Sequence, residues 1–481
     1  MKVKSIENIS NSDKLSTFNF QIQKMGFNSF IFYPIFIVLF MLYWIFRSYK
    51  TQNIILLFFG YTFYYFLDKN FILLLISFTL ITYLIGRSYA LINTNRLKQY
   101  HYSYVTVLLL SLVILKSNFF NDSKTNLVIP LGISFYYIHG ITYLIDIYHK
   151  KIYPEKNLFR YSLYINFFPL LISGPIERST NLLPQFKHAR KFNYETGVKG
   201  LKLILWGLFQ KLVIADQCNI YTTQIIENYS LYSGATIYFS FIIYSIQIYS
   251  DFAGYSNIAI GISNLLGFSI STNFDFPYFT FSIKNFWRKW HISLSSLLRD
   301  YVYIPMGGNR LAYHSYIKNI LIVFLLSGMW HGINMNFIIW GLYHFILYII
   351  YDKLYILRFH LPSKSARILK NKILNCFILF NTITFGWIFF RTNSINNISN
   401  IISKIFSKSF FNIPEIIPKE ISLLIILYMS LEFIWYKKGL LFKNNQPSSL
   451  LQFFRYIVYI LLLTSILFYS TKEQVFIYSQ F

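Results

Sequence analysis

The sequence predicts an all-α integral membrane protein, a polytopic bundle of about 11–14 helices with a re-entrant central segment. Three observations carry that expectation. The chain of 481 residues is 55% hydrophobic and only 13% charged, whereas a soluble domain carries about 25% charged residues. Apolar runs follow one another from residue 30 to the C-terminal region. Lys and Arg, which give a net charge of +26, collect in the short connections between those runs, as basic residues do on the cytoplasmic side of a membrane.

In chain order, the runs cover 30–46, 53–67, 71–92, 103–115, 127–148, 161–172, 201–214, 235–249 and 252–266. After a more polar stretch come 317–329, 334–351, 373–390, 421–435 and 453–469. A straight crossing needs about 20 apolar residues. Several runs are shorter, and Pro130, Gly132, Gly174 and Pro175 lie in or beside them, so some helices are expected to be tilted, broken or re-entrant. Irregular backbone at that depth is tolerated only where protein covers it or it lines a wet cavity. Residues 1–28 read as a polar extension without the apolar core of a signal peptide, and Met25 is an alternative start. Residues 29–481 read as one membrane domain. The connections 87–98 and 150–160 are basic and 117–126 between them is nearly neutral, the pattern of cytoplasm, outside, cytoplasm.

The same composition excludes other classes. Basic residues placed between apolar runs suit anionic lipid headgroups, so no nucleic-acid partner is expected. Cys218 and Cys376 are far apart and the nine histidines show no HExxH spacing, so neither a disulfide framework nor a metal site is expected. The 51 Phe and 41 Tyr residues suit lipid-facing, core and interfacial positions.

Chemistry concentrates in residues 249–345. Two strings each place a histidine directly after a tryptophan: 285–295, with Trp287, Arg288, Trp290 and His291, and 327–332, with Trp330 and His331. An ionisable ring at membrane depth costs free energy unless it faces a cavity or a partner, which makes it a functional candidate. Neutral imidazole is a ready base near pH 7, its ordinary pKa being about 6.5, and a developing oxyanion needs a nearby donor. Asp251 and Asn257 are polar groups amid apolar neighbours, able to orient a histidine or a donor substrate, or simply to bond helix to helix. Trp287 and Trp330 suit cavity walls. Arg288, Lys289, Arg299 and Arg310 suit phosphate recognition or interfacial anchoring. The string 305–310, with Gly307, Gly308 and Asn309, reads as a turn. On a continuous helix His291, Ser295 and Leu298 would share a face. His139 and His344 read as structural.

Taken together these strings resemble the membrane-bound O-acyltransferase family, most closely its bacterial branch typified by the alginate O-acetyltransferase membrane subunit. The resemblance runs from about Met25 to the C-terminus through Pro130 to Tyr136, Tyr143 to Asp146, Phe168-Pro169, Ser173 to Ile176 and Lys211 to Asp216. It continues through Tyr249 to Asn257, Phe274 to Tyr278, Phe286 to Ser295, Arg299 to Tyr301, Gly307 to Arg310, Ser327 to Gly332 and Gly386 to Arg391. Where relatives often carry Phe-Gln, this chain has Ile138-His139.

The resemblance implies helices around a central funnel or tunnel, with His331 at the position of the main catalytic histidine and His291 at that of a second site histidine. Asp251, Asn257, Trp287, Arg288, Trp330, Arg299 and Asn309 are the candidate substrate-binding residues. It also implies a cytosolic thioester donor such as acetyl-CoA, with no bound cofactor. The acyl group would cross the bacterial inner membrane to an extracytoplasmic SGNH-type partner and the polysaccharide machinery. The alternatives are D-alanyl transfer to teichoic acid, lipid acylation, and a transporter without catalysis.

Overall fold

The computed structural model describes residues 26–92, 94–117, 130–310, 312–357, 371–392, 394–438 and 449–469. The proposed alternative start, most of the polar N-terminal extension and most of the neutral connection 117–126 lie outside the described residues. Among the described residues every regular element is helical. In order these are α1 (Phe32–Ile45), α2 (Tyr49–Leu67), α3 (Ile72–Ser88), α4 (Thr94–Lys116), α5 (Ile133–Tyr148), α6 (Leu158–Ile165), α7 (Ser179–Gln185), α8 (Tyr194–Leu208) and α9 (Asp216–Glu227). There follow α10 (Gly234–Leu265), α11 (Ile283–Lys289), α12 (Ile292–Leu298), α13 (Tyr313–His331), α14 (Met335–Leu357), α15 (Lys372–Arg391), α16 (Ile395–Ile405), α17 (Lys419–Lys438) and α18 (Ser449–Tyr469). Fourteen of these run eleven residues or longer.

The protein is a multi-pass membrane protein. Segments Lys69–Ser88, Met335–Leu354, Lys372–Arg391 and Gln452–Tyr469 are long and apolar enough to cross a bilayer by length and composition. Large apolar side chains such as Phe58, Leu73, Phe377 and Phe468 point outward and exposed, the arrangement lipid solvates. The chain divides into two compact units. The first comprises residues 1–115, 127–197 and 262–269, the second 116–126, 198–261 and 270–481.

In the first unit Arg190 supplies an interior clamp. Its guanidinium donates to Gln52 Oε1 (3.2 Å) and Asn53 Oδ1 (2.8 Å) and lies over the rings of Tyr43 and Phe268. His139 is buried and accepts the Glu177 backbone N–H at its Nε2 (3.2 Å). His139 thereby holds the segment after Gly174-Pro175.

In the second unit the sequence-based division at Ser250-Asp251 is corrected: α10 is one helix of 32 residues, about 48 Å long. Polar residues do not break it because they are satisfied internally. Ser250 Oγ donates back to the Ile246 carbonyl (2.7 Å). The Asp251 carboxylate lies 2.8 Å from Lys211 Nζ, which also lies 2.8 Å from Asp216. Lys211 sits in a π-helical stretch, Phe209–Ala215, whose extra residue per turn shifts the side-chain register and is a frequent mark of functional sites. Beside this triad Asn257 donates to Gln210 (2.8 Å), Gln210 to Tyr428 (3.0 Å) and Tyr249 to Glu432 (2.8 Å). This polar interior is tied into a core of aromatic rings including Trp206, Trp290, Trp340 and Trp387.

Removing one member of a buried ion group leaves the others uncompensated and typically costs about 3–5 kcal/mol. Lys211→Met is therefore expected to lower the thermal transition of the detergent-solubilised protein sharply. The triple change Lys211→Met, Asp216→Asn, Asp251→Asn is expected to recover most of that loss. A single variant as stable as the parent would show that the triad does not hold the unit together.

Candidate active site

The second unit contains both candidate histidines. The helix expected through 291–298 is broken in front of His291. Ser282 caps α11 by accepting the Asn285 N–H (3.3 Å), α11 ends at Lys289, and Trp290 is extended. His291 then adopts a left-handed backbone, φ +43° and ψ +56°, before α12 restarts at Ile292. So His291 stands at a corner rather than on a shared helical face with Leu298. A left-handed conformation disfavours L-residues, and here Asn273 imposes it. The Asn273 carbonyl accepts the Ile292 N–H (2.8 Å). Its Oδ1 faces His291 Nδ1 at 3.0 Å and accepts from Ser293 Oγ (2.9 Å).

The Asn273 amide orientation is fixed by the Ser293 backbone N–H, which can only donate and does so to Oδ1 (3.3 Å), leaving Nδ2 to donate to Ser256 Oγ on α10 (3.1 Å). An oxygen therefore faces His291 Nδ1, so Nδ1 carries the proton and Nε2 presents its lone pair.

His331 is the last residue of α13. α13 and α14 lie close because Gly328 has no side chain: a Cβ there would sit 2.3 Å from the Phe337 carbonyl oxygen. That approach brings α14 against the His331 ring, with centroids 5.3 Å from Trp340 and 6.3 Å from Phe337. Phe390 of α15 closes another side at 4.9 Å. The two imidazoles are 2% and 4% exposed and share one neighbour. Trp330 lies 5.3 Å from His291 and 4.8 Å from His331, centroid to centroid. The row of rings continues from His331 through Trp340 to His344 (4.8 Å) and on to Trp287 (5.0 Å).

Trp287 forms part of the wall of a cleft of about 820 Å³. Arg288, Arg299, Asn309, Ser295, Ser296 and Ser327 also line it. Ser327 is one helical turn before His331. On the far wall Lys284 pairs with Asp352, which also accepts from Tyr316 Oη (3.1 Å). Arg299 pairs with Asp300 (2.6 Å), whereas exposed Arg288 pairs with no carboxylate among the described residues. The rim turn is held by Asn319, whose Nδ2 donates to the carbonyls of Met306 and Gly308 (3.1 Å each). Gly307 and Gly308 supply the positive φ of +94° and +60° that this turn needs.

The structure thus gathers Trp287, Arg288, Arg299 and Asn309 around one cleft, and Trp330 between the two histidines. It does not bring Asp251 or Asn257 to them: Asp251 belongs to the ion triad with Lys211, and Asn257 bonds Gln210. Two other α10 residues link it to His291: Phe252, whose ring lies 4.6 Å from the imidazole, and Ser256, through Asn273. The one signal for Asn273 was a lone amide opening the Asn-Phe-Asp-Phe-Pro break. Lys289, grouped with the phosphate candidates, instead pairs with Asp275 (2.8 Å).

Comparison with known proteins adds to this geometry. The sequence profile of the membrane-bound O-acyltransferase family matches residues 54–394. The chain is 33% identical over 316 residues to a peptidoglycan O-acetyltransferase of Helicobacter pylori, covering 60% of this chain and 58% of that one. It is 31% identical over 440 residues to a probable alginate O-acetylase of Pseudomonas aeruginosa, covering 87% and 81%. A teichoic acid D-alanyltransferase of Bacillus subtilis is 31% identical over 242 residues, covering 47% and 60%. The chain thus spans less than two thirds of the first of these relatives and about four fifths of the second.

The left-handed corner gives a stability test that does not depend on activity. His291→Gly and His291→Ala both remove the imidazole, but only glycine adopts this backbone without strain. The glycine variant is expected to be more stable by about 1 kcal/mol in chemical or thermal unfolding. The opposite order would contradict a left-handed residue 291.

Proposed function

The chain belongs to the membrane-bound O-acyltransferase family, and on that premise we propose that it is an enzyme moving an acyl group, acetyl, from a cytosolic thioester onto a hydroxyl. The product is an O-acetylated cell-surface or secreted polysaccharide, reached through an extracytoplasmic SGNH-type partner at the bacterial inner membrane. The observation that carries this reading is the pair of buried imidazoles packed against one indole, next to a cleft lined with arginine, serine and amide groups.

Each part of that geometry has a task in acyl transfer. Arg288 and Arg299 present guanidinium groups suited to the phosphates of a coenzyme A or carrier arm. His331, walled by Trp330, Trp340 and Phe390, is the general base. It takes the proton of the attacking hydroxyl as that oxygen bonds to the thioester carbonyl carbon. When the tetrahedral intermediate collapses the C–S bond breaks, and the imidazolium returns the proton to the departing thiolate. His291, held in one tautomer by Asn273, assists through Nε2 by hydrogen bonding or relay. The surrounding rings keep water away and so strengthen each electrostatic contact. The likeness to alginate and peptidoglycan O-acetyltransferases over long stretches supports a polysaccharide acceptor. The shorter match to teichoic acid D-alanyltransferases keeps D-alanyl transfer as the second reading, and mass analysis of the modified polymer separates the two.

Two measurements test this. With protein level and membrane insertion matched, His331→Ala is expected to lower polymer acetylation by about 10²–10⁴-fold; unchanged acetylation would remove His331 from the chemistry. Arg288→Ala is expected to raise KM for acetyl-CoA with kcat nearly constant, the signature of lost ground-state binding. An unaltered KM would mean that the phosphates bind elsewhere.

A further inference from the structure

Lys116 is the last residue of α4 and belongs to the same compact unit as His331. It is 7% exposed, an unusual place for an ammonium in a protein of this composition. Its Nζ donates to the backbone carbonyl of Trp330 at 2.5 Å and to that of His331 at 3.3 Å. Those two carbonyls belong to the last residues of α13, where the helix runs out of amide donors and its dipole presents its negative end. The chain leaves the helix extended at Gly332, φ −178°, and the Gly332 N–H turns back to the Gly328 carbonyl (3.3 Å). That N–H satisfies the Gly328 carbonyl, and Lys116 Nζ serves those of Trp330 and His331, the last two of the helix.

The choice of carbonyls matters more than the cap itself. Trp330 is the indole shared by both histidines, and His331 carries the imidazole assigned above as base. A side chain's direction is set by the backbone that bears it, and helix ends fray when their terminal groups are unsatisfied. A pair of hydrogen bonds from Lys116 Nζ, shielded from water, fixes that end in one arrangement.

We propose that Lys116 is a positioning residue for acyl transfer: by holding the carbonyls of Trp330 and His331 it aims both rings at the reaction centre. The inference rests on the reading of His331 as general base, and Lys116 itself touches no reacting atom. Its removal should therefore slow the chemical step while leaving donor binding in the cleft intact.

The test uses full-length protein in native membranes with acetyl-CoA as donor and polymer acetylation as readout, normalised to folded protein by size-exclusion chromatography. Lys116→Met keeps the aliphatic stem and removes the donors. It is expected to lower kcat on the order of 10²-fold, the scale set by about 1 Å of misplacement, with KM for acetyl-CoA unchanged within about 2-fold. Lys116→Arg, which keeps charge and donors, is expected to restore most of the loss. His331→Ala is measured alongside. If it is inactive while Lys116→Met retains full kcat, or while Met and Arg variants lose kcat equally, the positioning role is overturned and the base assignment stands. A rise in KM without loss of kcat also overturns it. If His331→Ala retains full activity, the base assignment falls and this inference falls with it.

Discussion

A polar group carried into an apolar helical bundle must find its partner within the protein, because hydrocarbon offers none. The second unit answers that constraint in three ways. The Lys211 ammonium lies between the Asp216 and Asp251 carboxylates. Amide and phenol groups bond around Glu432. Asn273 uses its backbone carbonyl and both side-chain ends to join α10, the His291 corner and α12. The last of these does more than satisfy groups. It fixes a backbone angle, a tautomer and a ring position together, so the site depends on one amide.

The two histidines are then placed by different physics. His291 is tethered through a ring nitrogen, and its left-handed backbone is offset by the bonds Asn273 makes to its Nδ1 and to the Ile292 N–H. His331 is placed by packing: the close approach of α13 and α14 at Gly328 sets Trp340 and Phe337 against it, and Phe390 comes from α15. Aromatic walls make the surroundings dry, which strengthens electrostatic stabilisation of a developing oxyanion. The neighbouring cleft sets Arg288, Arg299, Asn309 and serine hydroxyls among apolar and aromatic side chains, a lining that fits the proposed donor arm. A dry, ring-walled histidine beside a cleft that holds arginines is what the proposed transfer from an anionic donor would use.

The helical class was legible in the sequence because apolar runs and basic connections are composition-level signals. The break at His291 was legible only in part. Trp287 to His291 stood out, but a left-handed residue leaves no periodic trace, and the pattern of apolar positions allowed a continuous helix to Leu298. Ser250-Asp251 looked like a boundary, yet α10 runs through it because Lys211, forty residues earlier, supplies the counter-charge. The same long-range pairing explains why Asp251 and Asn257 were placed at the site and belong to the interior. Asn273 escaped notice for the complementary reason: its importance lies in what it touches across the fold. Trp287, Arg288, Arg299 and Asn309 were legible as a group because they fall within one short stretch that folds around one cleft.

The central proposal is that the cleft and the ring-walled histidine form one donor site. Electron cryo-microscopy of the protein in lipid nanodiscs with a non-hydrolysable acetyl-CoA analogue tests that claim directly. The expected result is phosphate density beside Arg288 and Arg299, with the acyl carbonyl within hydrogen-bond reach of the His331 imidazole. An analogue bound on another face, with His331 still sealed behind Trp330, Trp340 and Phe390, would contradict it.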